Sequence, residues 1–322
     1  MKYWSGSGVE QKGGRPEASD AHSLARHPLA NPFGVASRRR RIRISNFHAR
    51  DEALSIRFAL ARFYPMLSAE MAIEKVNVLG VGISVIDQDL AREFLFDAAR
   101  RGERGYVAVT GVHGVSEAQR DDDLRQILNR ALLCTPDGMP MVWMGRLQGK
   151  NSIQRVYGPD LMLNLCDHSR AENFSHFLYG AAPGVADALA RNLQERFPGL
   201  NIVGAFTPPF RDLDDAERVE LQRRIRETRP DFFWVGLSTP KQERFMAEYM
   251  SILPEVKIFI GVGAAFDLLI GRVRQAPKWM QRSGLEWLFR LSQEPGRLAK
   301  RYLLNNPLFV MRAAAQLLGF RN

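Results

Sequence analysis

From Val76 onward the chain alternates short, continuously apolar runs with amphipathic segments, and this alternation limits the fold more than any other feature. The runs "VNVLGVGISVI", "YVAVTGVHGV", "LLCT", "FSHFLYG", "LNIVGAF", "DFFWVGL" and "VKIFIGVG" are separated by helical patterns such as "DLAREFLFDAARRG", "EAQRDDDLRQILNRAL", "VADALARNLQERF" and "AERVELQRRIRET". A strand that is apolar at successive positions must be covered on both faces, and the intervening helices supply that cover. The expectation is an α/β fold: a Rossmann-like, mostly parallel sheet with helices on both faces. Three regions are expected: a disordered basic arm over 1–45, the α/β domain over 46–270, and a helical, basic and apolar appendage over 271–322. In the appendage, "APKWMQRSGLEWLFRLSQ" and "PGRLAKRYLLNN" read as helices.

Charge is unevenly spread. Residues 1–44 hold nine Lys/Arg against three Asp/Glu, and residues 272–322 hold ten against two, so a chain of net charge +10 carries +6 and +8 at its ends and −4 in its body. No zinc, RNP or helix-turn-helix signature accompanies the charge, which speaks against a nucleic-acid partner. A basic, apolar tail suits an anionic membrane surface instead. The sequence has no 18-residue apolar stretch, and "MKYWSGSGVEQKGGRPEASD" lacks the apolar core of a secretory signal, so a cytoplasmic location is expected. Cys134 and Cys166 sit in apolar surroundings and read as reduced core thiols.

In open α/β sheets ligands bind beyond the carboxyl ends of the strands. Three strand-to-helix turns, "TPDG" (135–138), "GPDL" (158–161) and "TPKQE" (239–243), each place Pro at a helix start, leaving free N–H groups suited to an anionic phosphate. In the first, Ala131–Thr135 reads as a strand and Thr135 as the N-cap, which puts Asp137 in a first helical turn. There its charge could simply offset the helix dipole by roughly 0.3–1 kcal/mol, or it could serve chemistry. Thr239 and Gln242 fit a capping box. Arg155 can pair with a phosphate or an acid, and Asp267 can accept from a sugar hydroxyl or cap a helix. "GVGAAFDLLIG" lacks the third glycine and following acid of a dinucleotide fingerprint. The Asp pair of "RDLDDAE" reads as a helix cap rather than a metal site, and His113 reads as a satisfied polar residue.

In order and spacing, "TGVHGVSEAQ", "TPDGMPMVW", "QRVYGPDLM", "FLYGAAPGVADALA", "WVGLSTPKQERFM" and "GVGAAFDLLIGRVRQAPKWMQRSGLEWLFRLSQEPGRLAKRYL" closely resemble the WecG/TagA/CpsF glycosyltransferases, also called glycosyltransferase family 26, over about residues 75–305. The "TGVHGV" form is similar to members from exopolysaccharide synthesis. The resemblance implies inverting transfer of a sugar from a UDP-sugar to a polyprenyl-diphosphate-linked acceptor at the inner face of the cell membrane, with no cofactor or metal. It makes Asp137 the general base and carries substrate-binding roles to Thr110, Arg155, Gln242 and Asp267. Basic residues matching Arg290, Arg297 and Lys300 would reach the donor diphosphate. Gly111 stands at or next to a place where many members carry Asn, and Lys300 stands where Arg is commoner. Self-association is also implied. Two other readings are a nicotinamide-dependent oxidoreductase and a non-catalytic scaffold at the membrane surface; the first would need the missing dinucleotide fingerprint, and the second would be expected to have lost Asp137.

Overall fold

The computed structural model describes residues 72–320. The expected N-terminal arm, 1–45, lies outside the described residues. The elements are β1 (Lys75–Val78), β2 (Val81–Ser84), α1 (Gln88–Arg100), β3 (Gly105–Thr110), α2 (Val112–Ala118), α3 (Asp122–Arg130), β4 (Leu133–Pro136), α4 (Met139–Leu147) and α5 (Gly158–Ser169). After these come β5 (Ser175–Gly180), α6 (Val185–Arg196), β6 (Asn201–Phe206), α7 (Asp215–Thr228), β7 (Phe232–Gly236), α8 (Lys241–Ile252), β8 (Ile258–Gly261) and α9 (Ala265–Leu269). The chain then runs through α10 (Lys278–Arg282), α11 (Glu286–Gln293) and α12 (Pro295–Leu317).

Six strands form one sheet in the order β4-β3-β8-β7-β5-β6, with every pairing parallel. The register sets Thr110 against Pro136, Val235 against Gly261 and Gly180 against Gly236, so the strands finish on a common edge. Successive side chains of a strand point to opposite faces, and the core divides accordingly. Ala108, Cys134, Phe177, Phe233 and Phe259 pack with Val115, Leu128, Leu221 and Met246 of α2, α3, α7 and α8 on one side. Val107, Leu133, Leu178, Trp234 and Ile260 pack with Leu95, Leu161, Leu189 and Phe266 of α1, α5, α6 and α9 on the other. Both cysteines are free and buried, as expected, and burial pushes the Cys134 thiol up to about 11.

One strand expectation fails. "VNVLGVGISVI" is an antiparallel hairpin, β1 with β2, outside the parallel sheet. Leu79 and Gly80 both have positive φ (54° and 85°), the backbone that a tight hairpin turn demands, and the Asn77 side chain accepts from Gly80 N at 2.7 Å. The cap expected at "RDLDDAE" is present: Asp214 and Glu217 form a complete capping box at the start of α7.

The last helix runs past Asn306, through Pro307, to Leu317. Leu298, Asn305, Phe309 and Ala313 form its buried stripe, and Phe309 and Ala313 join the core that holds Val115 and Ala118. Near its end the Gln316 side chain accepts from Leu79 N and donates to Asn77 O, both at 2.9 Å.

Candidate active site

A cavity of about 940 Å³ lies over the carboxyl ends of β3 and β4. His113, Asp137, Arg155 and Tyr157 line it from the α/β body, and Glu286, Arg290 and Arg301 line it from α11 and α12. Its size is that of a small-molecule site.

Asp137 reaches this cavity by a route the sequence did not suggest. Thr135 is not an N-cap: β4 continues through Pro136, and Asp137 N donates to Thr110 O at 3.1 Å, extending the sheet bonding by one residue. Pro136 is tolerated because β4 is an edge strand and can do without one donor. Helix α4 starts only at Met139, with Gly138 as N-cap and Pro140 in the first turn. Asp137 therefore sits in a two-residue link rather than in a helical turn, and dipole compensation does not explain it.

The carboxyl group accepts a long hydrogen bond from Gly158 N at 3.4 Å. Arg155 donates to the Asp137 carbonyl through Nε, pairs with Glu286 through one Nη, and reaches Gln281 Oε1 at 3.4 Å through the other. Its guanidinium lies 4.1 Å from the centre of the Tyr157 ring. Desolvation raises the Asp137 pKa above the usual carboxylate range; Arg155 opposes the rise and Glu286 adds to it. A carboxylate made more basic, yet open to a cavity, is suited to accept a proton.

Arg290 and Arg301 each have a buried Nε without a hydrogen-bond acceptor among the described residues. Burial lowers the Arg301 pKa, and the neighbouring Arg290 charge lowers it further. Paired guanidinium groups with unused donors form a place for an anion. His113 is neutral beside them: burial first, then Arg301, pushes its pKa down to about 4, and its Nδ1 lies 3.6 Å from Glu117 Oε1, beyond a hydrogen bond.

Asp137, Arg155 and Arg290 thus share the cavity, whereas Thr110, Gln242, Asp267, Arg297 and Lys300 are not among its lining residues. Thr110, 2% exposed, lies at the end of β3. The Thr239–Gln242 capping box does not form. Thr239 Oγ1 donates to Glu243 Oε1 at 2.8 Å, and Gln242 turns inward, where its Oε1 accepts from Gly263 N at 2.9 Å. The acid one place beyond the box position competes for the hydroxyl. Asp267 is not a cap either; it lies inside α9 and faces Arg272 at 3.6 Å. Arg297 pairs with Glu294, and Lys300 is exposed.

Arg301 and the buried Glu243 were not expected at the site. Arg301 had a signal, because Leu298, Arg301, Asn305 and Phe309 recur at helical spacing and share one face. Glu243, whose carboxyl is raised by burial, had none beyond its place after Gln242.

A family model described as "Glycosyl transferase WecG/TagA/CpsF family" matches residues 76–322. The chain belongs to this family. Two curated relatives are both named N-acetylglucosaminyldiphosphoundecaprenol N-acetyl-beta-D-mannosaminyltransferase. The protein of Bacillus subtilis (strain 168) is 31% identical over 180 residues, covering 56% of this chain and 68% of the relative. That of Bacillus spizizenii (strain ATCC 23059 / NRRL B-14472 / W23) is 31% identical over 194 residues, covering 60% and 72%. The matched region contains both the sheet and the helices that close the cavity, so the chain is a glycosyltransferase whose site lies within the family's own boundaries.

Proposed function

We propose that this glycosyltransferase moves a sugar from a UDP-sugar to a polyprenyl-diphosphate-linked sugar, with inversion and without a metal, and that Asp137 is the general base. The observation that carries the reading is the meeting of a desolvated carboxyl with two under-satisfied arginines in one cavity. In this reading Asp137 takes the proton of the acceptor hydroxyl as that oxygen bonds to the anomeric carbon. The bond from the anomeric carbon to the diphosphate breaks on the opposite face, and the electron pair leaves with UDP, towards Arg290 and Arg301. Arg155 holds the Asp137 link in place. The acceptor class follows the relatives, whose names specify a diphosphoundecaprenol-linked sugar. Arginines in place of a metal suit a chain whose acidic pair at 212–214 is engaged elsewhere, Asp214 in the capping box of α7.

The 271–322 segment would also bring the site to the membrane. Trp279, 64% exposed, and the exposed Leu288, Leu304 and Phe320 stand near Arg282, Arg297 and Lys300 in sequence. Basic groups beside an anionic leaflet contribute about 1 kcal/mol each. No helix among the described residues is long and apolar enough to cross a membrane.

Transfer to a polyprenyl-diphosphate sugar, measured in excess EDTA for wild type and Asp137→Asn, tests the reading. The wild type should turn over, and the folded variant should lose about 10²–10⁴-fold in kcat, the usual contribution of a positioned base. Near-normal turnover by the variant would remove Asp137 as the base, and loss of wild-type activity in EDTA with recovery on adding Mg²⁺ would remove the metal-free mechanism.

A further inference from the structure

The cavity is polar at only one end. Beyond Asp137 it continues as an apolar trough between α4 and α12. Trp143 and Leu147 form one wall, and Leu303, Val310 and Leu317 form the other. All five are substantially exposed, Leu147 by 68%, so large apolar side chains on two helices face a common space that nothing in this chain fills.

The two walls have defined ends. At the head, α4 follows directly on Asp137 and Gly138, and α12 supplies Arg301. At the far end, the Gln148 side chain after α4 and the Gln316 side chain of α12 both donate to the carbonyl of Asn77, each at 2.9 Å. The trough therefore runs from the reacting carboxyl to the β1–β2 hairpin, and the nine-residue α4 makes its wall roughly 13 Å long.

We propose that this trough binds the first isoprene units of the acceptor's polyprenyl chain, with the diphosphate at Arg290 and Arg301 and the rest of the chain leaving for the membrane. The proposal rests on the acceptor class put forward above. Three features select this occupant: the continuity of apolar wall and cationic head in one cavity, the position of Asp137 at their junction, and the closure at Asn77, which limits how much of a long chain is held. A nucleotide fits the apolar half poorly, because Trp143, Leu147, Leu303, Val310 and Leu317 give its base and ribose no hydrogen-bonding side chains.

The test is calorimetric binding of geranyl, farnesyl and geranylgeranyl diphosphate to the full chain, without detergent and below their aggregation concentrations, with inorganic diphosphate as the headgroup alone. Affinity should rise about tenfold from geranyl to farnesyl and then level off as the trough fills. The double substitution Leu147→Ser/Leu317→Ser should raise the farnesyl Kd about tenfold more than the inorganic diphosphate Kd. Leu304→Ser/Leu318→Ser, on exposed positions outside the cavity lining, should not discriminate between the two ligands. Affinity that ignores chain length, or equal losses in the two double variants, would overturn the trough. Chain-length-dependent binding by a protein that transfers no sugar would uphold the trough and remove the transferase reading; transfer at one KM for every chain length would do the reverse.

Discussion

At the scale of single residues, the Asp137 carboxyl is governed by opposing influences. Burial and Glu286 raise its pKa, while Arg155, Gly158 N–H and Arg290 lower it. A base must be deprotonated, so kcat/KM should fall as pH drops through this raised value, at a higher pH than for an ordinary carboxylate. Arg155→Gln removes the largest lowering influence, and a pH profile of this variant should show the acid limb displaced further upward; an unmoved limb would separate Asp137 from the titration. Arg301 and Lys300 are adjacent but turned differently about α12. A kinetic comparison should find that Arg301→Gln raises the KM for a substrate carrying a diphosphate by about tenfold or more, whereas Lys300→Gln changes it less than about twofold. The sequence showed a basic cluster over 297–301, but which member faces inward depends on how Leu298, Phe309 and Ala313 seat the helix.

Among the elements, β5 and β7 are tied by a polar chain inside the core. Trp234 Nε1 donates to His176 Nδ1 at 3.0 Å, His176 Nε2 donates to Ser169 Oγ at 2.8 Å, and Ser169 donates to Cys166 O at 3.1 Å. Burial pushes the His176 pKa down to about 3, so the ring is neutral and each nitrogen has its partner. Trp234→Phe would leave Nδ1 unsatisfied as well as opening space in the core. Urea unfolding should show a loss of at least about 1–3 kcal/mol, the cost of a stranded buried group; a smaller loss would mean that water or repacking satisfies the nitrogen. These strands were legible from their apolar runs, because burial on both faces leaves a plain compositional trace. The link at Asp137 was not. Whether Pro136 ends a strand or opens a helix depends on its pairing with Thr110, a contact across 26 positions that no local pattern encodes.

For the whole molecule, the C-terminal helices are structural as well as functional. They close the cavity, bury Phe309 and Ala313 against Val115 and Ala118, and hold the hairpin through Gln316. A chain ending at Gly271 should therefore lose transfer, melt at a lower temperature than the full chain, and fail to sediment with anionic vesicles that the full chain binds. Co-sedimentation and thermal melts check this, and a truncated protein that pellets and turns over normally would contradict it.

By itself the sequence determined the α/β class, the parallel sheet, the cap at Asp214 and the candidacy of Asp137, Arg155 and Arg290, because each follows from periodicity, local hydrogen bonding or an ordered set of motifs. Only the tertiary structure decided that "VNVLGVGISVI" folds back as a hairpin, that Gln242 is a buried strut, that Arg301 rather than Lys300 enters the cavity, and that α4 and α12 enclose an apolar trough. The physical reason is common to all four. Propensity and spacing act over a few residues, whereas the direction in which a side chain faces is set by contacts between segments such as Asn77, Gln148 and Gln316, which meet only once the chain is packed.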